Sequence, residues 1–225
     1  MRGKPDKFYK LGIVDPPYGI NVANMAYTQE DFRPVKQKNG QILRVRKAKY
    51  SHGEWDKYPP PVEYFNELFR ITEHQIIWGI NYFDIIVGPG RIKWDKCVPD
   101  GVSFNRYEHA YCSLIDYEIT FTYLWAGMMQ AKSLSEPTTQ RGNKKLNEKR
   151  IHPTQKPIDL YRWMLYKFAQ PGWNIYDSHG GAMGLSIAAW DLGFDLDICE
   201  IDKQYFDDGY KRYKTHTMQK RLFFG

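Results

Sequence analysis

Strand-like and helix-like stretches alternate along most of this 225-residue chain, three of the short strands run into an acidic residue, and a glycine cluster follows one of those acids. Together these observations predict an α/β fold: a doubly wound, mostly parallel sheet whose ligands bind outside the carboxyl ends of its strands. The length, with 42% hydrophobic residues, suits a single domain.

Leu11 to Val14 is a short apolar run that ends in Asp15-Pro16-Pro17. After the Pro59-Pro60-Pro61 punctuation, Val62, Phe65, Leu68 and Phe69 recur at helical spacing, and Gln75 to Trp78 reads as a strand. Arg91 to Trp94 and Ala110 to Leu114 are further strands. Tyr117, Ile119, Phe121, Tyr123 and Trp125 alternate with Glu118, Thr120, Thr122 and Leu124, the pattern of one strand with an aromatic-rich face. Ile158, Tyr161, Leu165 and Phe168 mark a helix that opens with Pro157 and closes before Pro171-Gly172. Trp173 to Tyr176 is a strand followed directly by Asp177. Leu185, Ala188, Ala189 and Leu192 mark the next helix, ended by Gly193, and Phe194 to Cys199 is a strand followed by Glu200.

A mean hydropathy of −0.62 and the lack of any apolar run near the roughly 18 residues of a membrane span argue against a membrane protein. The 17 Tyr, 12 Phe and 7 Trp argue against disorder. Met1 to Lys10 holds four Lys/Arg and no apolar stretch, so no secretory signal is read and a cytoplasmic location is expected. Cys97, Cys112 and Cys199 are distant, odd in number and never in a C-x-x-C pair; they are expected to be small buried hydrophobes, and no metal site is expected.

The formal charge of +6 is unevenly placed. Residues 33–50 contain Arg33, Lys36, Lys38, Arg44, Arg46, Lys47 and Lys49 and no acid, a local +7. Residues 130–152 contain Lys132, Arg141, Lys144, Lys145, Lys149 and Arg150 against Glu136 and Glu148, a local +4. The rest of the chain is therefore net acidic. Both segments are poor in apolar residues and are expected to be loops, either solvated or gripping a polyanion such as nucleic acid.

The three strand-end acids, Asp15, Asp177 and Glu200, are placed to line one crevice. Gly180, Gly181 and Gly184 and a helix separate Asp177 from Glu200, an arrangement that resembles a nucleoside site, the alternative being an ordinary βαβ turn. Asp15-Pro16-Pro17-Tyr18 is the sharper signal, since a given tetrapeptide arises by chance in such a chain roughly once in a thousand. Asp15 can accept a hydrogen from an amino group, two prolines stiffen the backbone so that the Pro16 carbonyl faces the same amine, and Tyr18 offers a flat face to a planar base. These parts suit a reaction at an exocyclic base amine.

With these residues in view, the chain resembles the amino-group DNA methyltransferases, which modify adenine N6 or cytosine N4 using S-adenosylmethionine. Asp15 to Tyr18 matches the family's D-P-P-Y, and Ile151-His152-Pro153-Thr154-Gln155-Lys156-Pro157 matches its H-P-T-Q-K-P. Asn174 to Asp177 with the following glycines looks like the cofactor motif, and Cys199-Glu200-Ile201-Asp202 like the acidic motif after it. Weaker matches are Ile77 to Phe83, Trp94-Asp95-Lys96 and Tyr107-Glu108. Catalytic motif first and cofactor motif last is the order of the family's β class.

The resemblance implies the Rossmann-like methyltransferase fold, S-adenosylmethionine as cofactor and DNA as partner, with no membrane and no metal; a homodimer is allowed. It implies catalytic Asp15, Pro16, Pro17 and Tyr18, and cofactor-binding Thr154, Gln155, Lys156, Asp177, His179, Gly180, Gly181, Glu200 and Asp202. The DNA contacts expected are Arg33, Lys36, Arg44, Arg46, Lys47, Arg141, Lys144 and Lys145. A catalytic half (about 8–128) then carries one basic insertion (about 21–54), and a second (about 129–150) precedes the cofactor half (about 151–213). One departure stands out. Where the family has D-P-F-x-G-S-G, this chain has Asp177-Ser178-His179-Gly180-Gly181-Ala182-Met183-Gly184, which puts Met183 at a glycine position. Adenine N6 is the favoured target because D-P-P-Y resembles the adenine enzymes more. The alternatives are cytosine N4, and a DNA-binding protein of the same fold whose catalysis is weakened at Met183.

Overall fold

The computed structural model describes residues 1–22, 32–36, 39–46, 55–101 and 105–218, with backbone alone at 32–36, 45 and 46. Its strands are β1 (Tyr9–Val14), β2 (Phe32–Lys36), β3 (Ile42–Arg46), β4 (Thr72–Trp78), β5 (Arg91–Asp95), β6 (Tyr107–Cys112), β7 (Glu118–Thr122), β8 (Trp125–Ala126), β9 (Met129–Gln130), β10 (Asn174–Asp177) and β11 (Asp195–Ile198). Its helices are α1 (Val62–Ile71), α2 (Ile158–Phe168), α3 (Gly184–Leu192) and α4 (Lys203–Thr217).

One seven-stranded sheet runs in the order β11-β10-β1-β4-β6-β5-β7. It is parallel except for β6, which is antiparallel to β4 and β5. The first strand of the chain thus lies between β10 and β4, which brings the end of β1 beside the end of β10. Side chains alternate across the sheet: in β4, Ile76 and Trp78 join a core with α2 and α3, whereas Ile77 joins a second core with α1. Helix α1 starts after Pro61, has Glu63 in its first turn and Arg70 in its last, and buries Phe65, Leu68 and Ile71 at near-helical spacing.

Three expectations change. The first basic segment contains a β2–β3 hairpin rather than only loop; Asn39-Gly40 closes it, with Gly40 at φ +84° and the Gln41 N–H donating to Asn39 Oδ1. The aromatic stretch 117–125 is not one strand. β7 ends at Thr122, and Trp125 leaves the sheet, its indole N–H donating to the Gln155 carbonyl at 2.8 Å. Cys112 is buried as expected, but Cys97 is only partly buried and Cys199 is exposed. Helix α4, absent from the sequence reading, is capped by Asp202 and buries only Tyr205 and Gly209. No helix among the described residues is long and apolar enough to cross a membrane.

Candidate active site

The site begins where β1 stops. Asp15 Oδ1 accepts from the Tyr18 hydroxyl at 2.7 Å, and Oδ2 lies 2.5 Å from Lys156 Nζ. Burial raises the Asp15 pKa; Lys156 opposes this and Glu108 adds to it, leaving the carboxyl above its ordinary value. The Tyr18 ring is stacked on Tyr82, with centroids 4.8 Å apart and planes 10° from parallel. Gly79 makes this seat: its φ is +71°, and an added Cβ would lie 2.1 Å from Tyr18 Cε1. Sequence reasoning offered the Tyr18 face to a base; the structure places Tyr82 against it.

Asp56 fixes the chain beyond Tyr18. It is buried, and its two oxygens accept from the Gly19 N–H at 3.1 Å and the Val22 N–H at 2.8 Å. The start of the first basic insertion is thereby stapled to its end.

Lys156 belongs with Asp15 in the structure. Its side chain is 2% exposed, and its ammonium also approaches Tyr18 Oη at 3.3 Å and Glu108 Oε2 at 3.4 Å. Glu108, on β6, binds Lys96 through Oε1 at 2.9 Å. Burial pushes the Glu108 carboxyl up, but Lys156 and Lys96 outweigh it and hold it at about 2. Desolvation works against the Lys156 ammonium, and Asp15 and Glu108 raise its pKa above the ordinary value regardless.

The turn after β10 forms the second wall. Asp177 is buried and its carboxyl is pushed up to about 8 by desolvation, against which the His179 N–H, donating to Oδ1 at 2.9 Å, is insufficient; Asp15 and Glu200 push the same way. The His179 ring hydrogen-bonds Ser178 Oγ at 2.8 Å, Ser178 Oγ meets Tyr64 Oη at 2.7 Å, and burial lowers His179 to about 4. Glu200 accepts from the Gly181 N–H at 2.7 Å and the Asp202 N–H at 2.8 Å. Gly180 N–H donates to the Cys199 carbonyl at 2.7 Å, tying the turn to β11. An added Cβ on Gly180 would crowd Ile198 at 2.9 Å, whereas at Gly181 the nearest atom is 3.9 Å away. Gly181 is therefore the open side of the turn.

Among the H-P-T-Q-K-P residues, His152 is neutral, lowered to about 3 by burial and then by Lys156, and its Nδ1 faces Thr154 Oγ1 at 3.1 Å. The Gln155 amide is turned to its own loop, accepting from the Ile151 N–H at 3.0 Å. Asp202 caps α4 by accepting from the Tyr205 N–H at 3.0 Å. Thus Asp177, His179, Gly180, Gly181 and Glu200 converge on the turn, while Gln155 and Asp202 serve its framework.

The basic residues divide as well. Arg44, Lys144 and Lys145 are exposed. Arg141 donates to the Leu146 and Lys132 carbonyls at 2.7 and 2.9 Å, holding its own loop. By hairpin register, positions 36, 44 and 46 share one face of the ribbon and 33 the other. Lys47 lies outside the described residues. Sequence reasoning missed Asp56, Tyr64 and Tyr82 as site residues. Tyr82 and Glu108 carried a signal, in the weak Ile77 to Phe83 and Tyr107-Glu108 matches, whereas Asp56 and Tyr64 carried none.

The sheet order, the glycine turn after β10 and the acid after β11 define a Rossmann-like methyltransferase fold. Two solved structures share it. With PvuII DNA methyltransferase, described as cytosine-N4-specific, the TM-score is 0.52 at 12% identity, covering 96% of this chain and 86% of that one. With the M1.HpyAVI–SAM complex the TM-score is 0.50 at 15% identity, covering 94% and 90%. No family model and no curated protein matches the sequence. At these identities the likeness establishes the fold.

Proposed function

We propose that the chain is a DNA methyltransferase that uses S-adenosylmethionine to methylate the exocyclic N6 amine of adenine. The observation that carries this reading is the convergence of Asp15-Pro16-Pro17-Tyr18, at the end of β1, with the Asp177 glycine turn, at the end of the adjacent parallel strand β10. The residues present fit the cofactor. Asp177 is a buried carboxyl that a cationic ligand would draw into its ionised form, Glu200 can accept from ribose hydroxyls, and Gly181 leaves its side of the turn open. S-adenosylmethionine, when bound, supplies an electrophilic sulfonium methyl.

The remaining work falls to the chain. Asp15 and the Pro16 carbonyl accept the two amine hydrogens, which draws the nitrogen lone pair out of conjugation with the ring. The Asp15 carboxylate then stabilises positive charge developing on that nitrogen. Fixed placement of amine and methyl supplies much of the remaining acceleration. A stacked base cannot reach this position, so the base must leave the duplex and be held at Tyr18, with Tyr82 displaced. The ribbon formed by β2 and β3 is narrow enough for a major groove, and the exposed Lys144 and Lys145 would reach the phosphate backbone.

Adenine rather than cytosine N4 is favoured by the Asp-Pro-Pro-Tyr form of the motif. Transfer of labelled methyl from S-adenosylmethionine to DNA tests the activity, and modified-base sequencing of that DNA tests the base.

A further inference from the structure

The catalytic carboxylate is already engaged by a cation of the protein itself. Asp15 has two oxygens; Tyr18 donates to one and Lys156 takes the other at 2.5 Å. The Lys156 ammonium stands where an acceptor amine must donate its hydrogens. Its side chain is 2% exposed, so it cannot simply relax into water. A buried ammonium that leaves one carboxylate needs another.

The structure supplies a second carboxylate beside the same ammonium, which also lies over an aromatic ring. Lys156 Nζ lies 5.2 Å from the centre of the Trp78 ring, at the end of β4, between β1 and β6 in the sheet. Glu108 Oε2 faces the same Nζ from β6 at 3.4 Å, while Oε1 holds Lys96 at 2.9 Å. One Glu108 oxygen is therefore fully engaged, and the other has a long contact that can shorten. We propose that Lys156 occupies the acceptor position until substrate arrives and that Glu108 is the positioning residue that receives its ammonium when the acceptor amine takes Asp15. The inference rests on the methyltransferase reading. It adds a substrate-dependent exchange of one cation between two carboxylates across the face of Trp78.

The charged and titratable groups around the pair are Tyr18 on the catalytic loop, Glu108 and Lys96 toward β6, Tyr64 on α1, Tyr161 on α2, His152 in the preceding loop and Asp177 after β10. Of these, Lys156 lowers the Asp15 pKa and Glu108 raises it. Because Asp15 must be ionised to accept the amine, activity rises with pH through its titration. Removing Lys156 should shift that acidic limb to higher pH, and removing the Glu108 charge should shift it lower.

The experiment is steady-state methyl transfer to DNA across pH by the full chain and by Glu108→Gln, Lys156→Met and Lys156→Arg, with folding checked by thermal melting. Carboxyl titration of Asp15 in carbon-13-labelled, substrate-free protein is run alongside. Above the acidic limb, Glu108→Gln is expected to raise the KM for DNA several-fold, since among the described residues the ammonium then has no other carboxylate within ion-pair distance, and Lys156→Met to lower it. The limb should move down in Glu108→Gln and up in Lys156→Met, with Lys156→Arg returning it toward the original position. An unchanged KM in Glu108→Gln, or limbs moving in the same direction, overturns the proposal while leaving the methyltransferase reading intact. If the unsubstituted chain transfers no methyl, that reading fails instead. The titration then decides the cation exchange alone: opposite shifts of Asp15 support it, and like shifts or none overturn it.

Discussion

Met183 packs directly against Gly209: an added Cβ on Gly209 would lie 2.5 Å from Met183 Cγ. Met183 itself has φ +55°, the left-handed conformation that makes glycine the easy choice at this point of the turn. The departure from the glycine pattern is thus accommodated by strain of roughly 1–2 kcal/mol. In exchange the side chain is buried, 3% exposed, beneath α4.

Restoring glycine should consequently weaken the protein. Met183→Gly relieves the strain but removes a buried side chain whose loss costs about 2–5 kcal/mol, so a net loss centred on about 2 kcal/mol is expected. Denaturant unfolding measures it. An unchanged or higher stability would make Met183 a defect in the turn and favour the reading in which catalysis is weakened there.

Gly79 tests the seat of Tyr18. Gly79→Ala places a Cβ inside the Tyr18 ring and forces alanine to φ +71°. The expected outcome is at least about 1–2 kcal/mol of lost stability and a fall of tenfold or more in methyl transfer, with cofactor affinity little changed. Calorimetric titration beside the rate assay separates the two effects.

Asp177 gives stability a pH signature. Its folded pKa, about 8, is raised above the ordinary carboxylate value, so between about pH 4 and 8 the folded chain holds a proton that the unfolded chain has released. Stability from this group falls as pH rises through that window. His152, lowered to about 3, acts oppositely, lowering stability as pH falls below about 6.5. The difference between the unsubstituted chain and Asp177→Asn isolates the first effect: the variant should gain relative stability steadily from pH 5 to pH 8. A pH-independent difference would mean that Asp177 is ionised throughout.

The two kinds of basic residue should separate in salt. An Arg44→Ala, Arg46→Ala double variant should weaken DNA binding and reduce the slope of log affinity against log salt by about 2. Arg141→Ala should leave that slope unchanged and lower the melting temperature, because its guanidinium is engaged with the Leu146 and Lys132 carbonyls. Equal slopes for the double variant and the unsubstituted chain would make the hairpin a bystander.

The sheet was legible because its strands are short apolar runs bounded by Pro, Gly and acids, and the crevice because β1, β10 and β11 each run into an acid. The β2–β3 hairpin carried a readable turn in Asn39-Gly40, but the surrounding charge disguised it as loop. Helix α4 was missed because its polar sequence buries only Tyr205 and Gly209. Lys156 and Glu108 illustrate the deeper limit. They are 48 positions apart in sequence and share an ammonium only because β6 and the loop before α2 meet over Trp78. Asp56 is equally silent, a lone acid whose role exists only once Gly19 and Val22 present their N–H groups to it.

In the proposed reaction Asp15 accepts hydrogens from the base amine during methyl transfer. The direct measurement is transfer of labelled methyl from S-adenosylmethionine to adenine-containing DNA by the unsubstituted chain and by Asp15→Ala, with cofactor binding followed in both. With Asp15 as the acceptor, the unsubstituted chain transfers methyl and Asp15→Ala loses transfer with cofactor affinity retained; persistent transfer by Asp15→Ala rules that role out.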